Sequence, residues 1–251
     1  MSETTDFTNQ DPWRVFRIMS EFVEGFETMS DIGPAVSVFG SARAPRSDPY
    51  YAKARQLSRM LAERGFAVIT GGGPGIMEAA NRGAAEGKGT SVALNIDLPH
   101  EQVANRYANR RQDFRYFLAR LMMFVKYACA FVCFPGGFGT LHEFFNSMTL
   151  IQTGKSERFP VILIGRRYWG GLIRWARRTL LSGPYPKISP EDLELFCITE
   201  DLKEAVRIIE GARELETCRK ILPPGVHAHS PTAEGTVMGQ PARVYGRRRK
   251  V

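Results

Sequence analysis

The sequence predicts a single α/β domain, a doubly wound parallel sheet with helices on both faces. Three observations predict it. Short apolar runs of strand length alternate with segments of helical periodicity from Ala35 to Leu215. Two of those runs pass straight into glycine-rich turns that open a helix: Phe66 to Thr70 into GGGPG at 71–75, and Cys129 to Phe134 into PGGFG at 135–139. A chain of 251 residues with 43% hydrophobic content can bury one full core and does not need a second.

The elements follow in order. Asp11-Pro12 supplies a cap and a first helical residue, and Trp13, Phe16, Met19, Val23 and Phe26 follow at helical spacing, on a face that needs cover from its own domain or from a second subunit. Ala35 to Phe39 is a strand that ends in Gly40-Ser41-Ala42-Arg43, which puts small groups at a strand's C-terminal edge, where doubly wound sheets hold ligands. A helix opens at Asp48-Pro49 and closes at Gly65. The strand Phe66–Thr70 and the helix Ile76–Glu86 flank the first glycine run, with Gly73 and Gly75 inside it. Thr90 to Ile96 is a third strand, 105–113 a polar connection, and Phe114 to Ala128 a helix carrying Arg120 and Lys126. After the strand Cys129–Phe134 and the second glycine turn, a helix runs from Thr140 to Thr153, then a strand from Pro160 to Ile164 and a helix from Arg167 to Leu181. A last strand, Leu193–Ile198, and a last helix, Asp201–Leu215, complete the sheet.

Composition excludes several classes. The stretch from Leu118 to Phe134 is interrupted by Arg120 and Lys126, so it cannot span a bilayer, and the polar opening MSETTDFTNQ has no secretory pattern; a cytoplasmic protein is expected. Cysteines at 129, 133, 197 and 218 form no C-x-x-C pair, and the four histidines form no H-E-x-x-H, so no metal is implied. The net charge of +8 is concentrated from Arg219 to Val251, where Arg247, Arg248, Arg249 and Lys250 close a Pro/Gly-rich tail, and specific nucleic-acid binding is not expected. The domain plan is an N-terminal extension with an amphipathic helix (1–34), a nucleotide-binding body (35–218) and a basic, disordered tail (219–251).

The stretch 129–149 carries the chemistry. Gly136, Gly137 and Gly139 let backbone N–H groups approach an anion, and the helix start adds about half a positive charge. Thr140-Leu141-His142-Glu143 also reads as a capping box, with Thr140 as the cap and Glu143 reaching back. A plain cap needs no proline and three glycines ahead of it, so the stretch is read as a phosphate site. G-x-G-x-x-G is absent after the first strand and no P-loop occurs, which sets dinucleotide dehydrogenases and NTPases aside. Arg120 has Leu118, Leu121 and Met122 around it, which read as buried, and a buried arginine needs a partner.

GGGPGIMEAAN at 71–81, LNIDLPHEQ at 94–102, Arg120 and PGGFGTLHE at 135–143 together resemble the Lonely Guy family, long described as possible lysine decarboxylases. The resemblance spans roughly Ala35 to Leu181 and implies a Rossmann-like fold. It implies an N-glycosidase that releases the base and ribose 5-phosphate from a nucleoside 5′-monophosphate, such as a cytokinin riboside monophosphate or AMP, with no cofactor and as a homodimer or larger. By resemblance Arg120 and Glu143 are catalytic, Gly136, Gly137, Gly139 and Thr140 cradle the phosphate, and Thr149 and Glu101 contact the ligand. Gly40, Ser41, Gly73 and Gly75 are expected to join them at the same sheet edge. Leu121 stands where the family has lysine, and His142 where an acid is common. Lysine decarboxylation finds no support, because it needs pyridoxal held by a Schiff-base lysine and a partner for the ring nitrogen. A non-catalytic carrier of a nucleotide or nucleotide cofactor is the alternative reading; it would keep the glycine loops without needing Arg120 and Glu143 together.

Overall fold

The structure is a computed structural model that describes residues 11–98 and 104–221. It contains a seven-stranded, wholly parallel sheet in the order β4-β3-β2-β1-β5-β6-β7. The chain runs α1 (Asp11–Met29), β1 (Ala35–Phe39), α2 (Pro49–Ala62), β2 (Ala67–Thr70), α3 (Ile76–Glu86), β3 (Ser91–Ile96) and β4 (Arg110–Phe114). It continues through α4 (Phe117–Tyr127), β5 (Ala128–Cys133), α5 (Phe138–Gln152), β6 (Val161–Ile164), α6 (Arg166–Ala176), β7 (Phe196–Thr199) and α7 (Leu202–Ile221). The doubly wound architecture is therefore as expected.

Two apolar clusters occupy the two faces of the sheet. Val36, Val38, Val68, Val132, Ile162 and Ile164 face Leu57 and Leu61 of α2, Ala80 of α3 and Val206 and Ile209 of α7. Phe39, Ile69, Leu94, Phe131 and Leu163 face Met123 and Phe124 of α4, Phe144 of α5 and Trp169 of α6. Strands buried on both faces read as continuous apolar runs, which is why their positions were legible.

Strand β4 was not expected; 105–113 reads as a polar connection. Its sequence RRQDF buries only Phe114, and pairing with β3 from Val92↔Arg110 to Ile96↔Phe114 makes it a strand. Charged side chains on an edge strand protect it from further pairing, so polarity here marks an edge. Helix α4 accordingly starts at Phe117 and not at Phe114. The end of the sheet also shifts: Pro190–Glu194 is a 3-10 turn and β7 begins at Phe196, while α6 ends at Ala176 in a π turn, Arg177–Leu181.

Helix α1 docks on its own domain along one edge. Glu21 is buried and accepts hydrogen bonds from the backbone N–H groups of Arg115 (2.9 Å) and Tyr116 (3.1 Å), satisfying donors at the start of α4. Trp13, Phe16, Met19 and Val23 stay exposed. No helix among the described residues is long and apolar enough to cross a membrane.

Candidate functional site

The direction of winding reverses between β1 and β5, because β1 pairs with β2 on one side and with β5 on the other. Ligands of open parallel sheets bind at the C-terminal ends of the strands at such a reversal. The turns that follow β1, β2 and β5 meet there. The Ser41 N–H donates to the carbonyl of Pro135 (3.0 Å), and the Ile76 N–H donates to the carbonyl of Ser41 (3.0 Å), so three segments remote in sequence are tied through one residue. A Cβ on Gly40 would lie 2.5 Å from Ile76, and one on Gly75 would lie 2.3 Å from the Ser41 carbonyl oxygen. Gly75 also has φ +67°, a conformation that L side chains rarely adopt.

A buried polar network braces the 71–75 turn. Asn81, fully buried on α3, accepts from Thr70 Oγ1 (2.6 Å) and Asn105 Nδ2 (2.8 Å), and donates to Ser91 Oγ (2.9 Å) and the Val92 carbonyl (3.0 Å). Asn105 in turn donates its backbone N–H to the Gly72 carbonyl (2.8 Å) and Nδ2 to the Gly73 carbonyl (3.1 Å). An amide with every lone pair and proton engaged is what makes a buried asparagine tolerable. Sequence reasoning missed Asn105 altogether. A polar residue on the apolar face of α3 was the available signal for Asn81.

The turn at 135–139 is built differently. Helix α5 begins at Phe138 with Gly137 as its cap, two residues before the predicted start, and no side chain caps it. The capping-box reading is therefore corrected: Thr140 lies within the first turn and is buried, and Glu143 lies in the second turn, out of reach of a reciprocal cap. The shift arises because Gly137 takes the extended cap conformation itself, φ −89° and ψ −158°. Leu141 N–H to the Gly137 carbonyl (3.1 Å) is the first helical bond, which leaves the N–H groups of Phe138, Gly139 and Thr140 without intrahelical acceptors.

Arg120 and Glu143 approach this turn from α4 and α5. Arg120 is partly buried: its Nε donates to the Leu94 carbonyl (2.7 Å), its guanidinium stacks over Phe124 at 5.2 Å, and a Cβ on Gly71 would touch its Nη2 at 2.3 Å. The expectation that Leu118, Leu121 and Met122 are buried is corrected for two of them, since Leu118 and Met122 are exposed and Leu121 is half-buried; Arg120 points from the opposite side of α4, inward to β3. Burial pushes the guanidinium pKa down, and the charge of Glu143 opposes that. Burial likewise raises the Glu143 carboxyl, with Arg120 pulling it back. A Cβ on Gly139 would stand 4.0 Å from Glu143 Oε2, so the carboxylate flanks the open turn.

The predicted residues are thus divided. Gly40, Ser41, Gly75 and Gly136 interlock, and Arg120, Glu143 and Gly139 line up beside them. Thr149 is exposed, with its hydroxyl donating to the Phe145 carbonyl (2.9 Å), six positions and so about 120° around the helix from Glu143. Glu101 lies outside the described residues.

The family described as "possible lysine decarboxylase" matches residues 77–209. A rice protein named probable cytokinin riboside 5′-monophosphate phosphoribohydrolase LOGL5 is 31% identical over 176 residues, covering 66% of this chain and 71% of its own. The X-ray structure of TM1055 superposes with a TM-score of 0.54 at 27% identity, covering 71% of this chain and 99% of that one. The molybdenum cofactor carrier protein from Chlamydomonas reinhardtii shares the fold, with a TM-score of 0.53 at 20% identity over 72% of this chain and 98% of that one.

Proposed function

The chain belongs to the Lonely Guy family of possible lysine decarboxylases, and from that premise we propose that it hydrolyses the N-glycosidic bond of a nucleoside 5′-monophosphate. The observation that carries the reading is the uncapped start of α5 behind PGGFG, with Glu143 in the next turn and the charge of Arg120 acting on it from α4. Free N–H donors at a helix start suit a phosphate. The distance of one turn puts the carboxylate near the sugar attached to that phosphate.

Cleavage of the C1′–N bond leaves positive charge on the ribose ring and negative charge on the departing base. The Glu143 carboxylate stabilises the oxocarbenium and orients water; the water oxygen bonds to C1′, and its proton goes to the base. Burial raises the Glu143 pKa, which makes the carboxylate a stronger proton acceptor than an exposed one. The charge of Arg120 pulls the Glu143 pKa back down and so favours the ionised carboxylate. Leu121, in place of the family lysine, leaves the base to be held by other groups. The exposed stripe on α1 and the exposed Phe117, Leu118 and Met122 of α4 support assembly into a homodimer or larger, which light scattering would show.

Incubation of the protein with a panel of nucleosides and their 5′-monophosphates, followed by chromatography, tests the reading. Release of free base and ribose 5-phosphate is expected from a monophosphate such as AMP, and little from adenosine. Tight binding of a monophosphate with no turnover would move the reading to a nucleotide or cofactor carrier, the activity named for the Chlamydomonas structure.

A further inference from the structure

We infer that Tyr168 is the positioning residue of the phosphate turn, acting through a single hydrogen bond to the loop and not through contact with the reacting atoms. Its hydroxyl donates to the Gly136 carbonyl at 2.5 Å. That carbonyl and the N–H of Gly137 belong to one planar trans peptide and point in opposite directions. Holding the carbonyl therefore fixes the direction of the Gly137 N–H, the donor immediately ahead of the three without helical acceptors.

The phenol is itself well placed to impose a direction. Tyr168 lies in the first turn of α6, which opens at Gly165 in a left-handed conformation with φ +112°, and a Cβ there would stand 3.1 Å from Pro135. The ring packs edge-on against Trp169 at 4.9 Å, and Trp169 is fully buried with its indole N–H donating to the Ile164 carbonyl (3.2 Å). Gly136 is confined on its other sides: a Cβ on it would meet Thr140 Oγ1 at 2.1 Å and the Gly40 carbonyl carbon at 3.1 Å. The turn is thus pinned from three directions at Gly136, while Gly137 and Gly139 stay exposed.

An ordinary surface tyrosine is the competing account, since Tyr168 is 40% exposed and could be replaced without consequence. The two differ in what the hydroxyl does. The inference rests on the phosphate-binding half of the proposed function, so the test reads binding separately from turnover.

Ribose 5-phosphate and AMP affinities are measured by calorimetry for the full chain, for Tyr168→Phe and for Tyr168→Ala, together with melting temperatures and, where turnover exists, kcat and KM. Tyr168→Phe keeps the ring on Trp169 and removes only the hydroxyl. Both dissociation constants are expected to rise about 5-fold, with KM following and kcat within about 2-fold, while the melting temperature stays put. Tyr168→Ala should melt lower yet weaken phosphate binding no more than Tyr168→Phe, which assigns the effect to the hydroxyl. Unchanged affinities in Tyr168→Phe, or a wild-type chain with no measurable affinity for either probe, would overturn the clamp. Weakened binding in a protein that cleaves nothing would uphold the clamp and sink the hydrolase.

Discussion

The two glycine turns look alike as strings and are opposite as structures. In GGGPG, Gly71, Gly72, Gly73 and Gly75 are all buried, and a Cβ at 71, 72 or 75 would strike Arg120, Asn95 or Ser41 within 2.3 Å. In PGGFG, Gly137 and Gly139 are exposed; a Cβ on Gly137 meets nothing within 4 Å, and one on Gly139 only Glu143. The first turn is glycine-rich because the protein itself fills the space. The second is filled only at Gly136, against Thr140 and Gly40, and keeps its space open at Gly137 and Gly139 beside free N–H donors. Glycine in a turn after a strand is therefore evidence of close approach, and the structure is needed to say what approaches.

The comparison can be tested through Glu143, which stands behind the open turn. Glu143→Gln is expected to lower turnover by about 10²-fold or more, as removal of transition-state charge stabilisation does. Its effect on stability should have the opposite sign. Because burial raises the folded-state pKa, ionised Glu143 weakens the fold progressively as pH rises above the unfolded value near 4.5, and below that value the penalty vanishes. Thermal melts of Glu143→Gln should therefore match wild type at pH 4 and equal or exceed it at pH 7. A lower melting temperature at pH 7 would show that the carboxylate holds the turn together after all.

Arg120 bridges the two turns, touching Gly71 on one side and acting on Glu143 on the other. Arg120→Met is expected to cost turnover nearly as much as Glu143→Gln. Any residual activity should have its acid limb moved to higher pH, since the charge that pulls the Glu143 pKa down is gone. A pH profile of kcat/KM with an unmoved limb would uncouple the pair.

Alanine at the glycines separates the turns most directly. Gly75→Ala combines a Gly-only conformation with a 2.3 Å approach to a backbone oxygen, and should destabilise by about 3 kcal/mol or more in chemical denaturation. Gly137→Ala has an ordinary φ of −89° and open space, so its stability should stay within about 0.5 kcal/mol of wild type. Its added methyl occupies the ligand's approach, and affinity for AMP should fall by about tenfold. Equal stability losses at 75 and 137 would show that the two turns are packed alike.

Much of this molecule is local and could be read from the chain. Doubly buried strands such as VILI at 161–164 must be apolar throughout, a helix that rests on a sheet must be amphipathic, and a chain entering a helix through PGGFG needs glycine, so fold class, element order and the family resemblance all follow from short-range pattern. Tertiary structure decided the rest. Strand β4 exists because β3 offers it partners, and its residues RRQDF carry no apolar run to announce it. The start of α5 depends on the backbone of Gly137 and not on the capping signature four residues wide, so Glu143 lost its structural role only once the helix was seen. Arg120 faces inward although Leu118 and Met122, two positions to either side, face solvent, because a helix assigns sides every 100° and only packing says which side is in. Asn105 and Tyr168 carry no local signal for the same reason: each acts on a glycine carbonyl more than thirty residues away, across a junction that the sheet topology alone brings together.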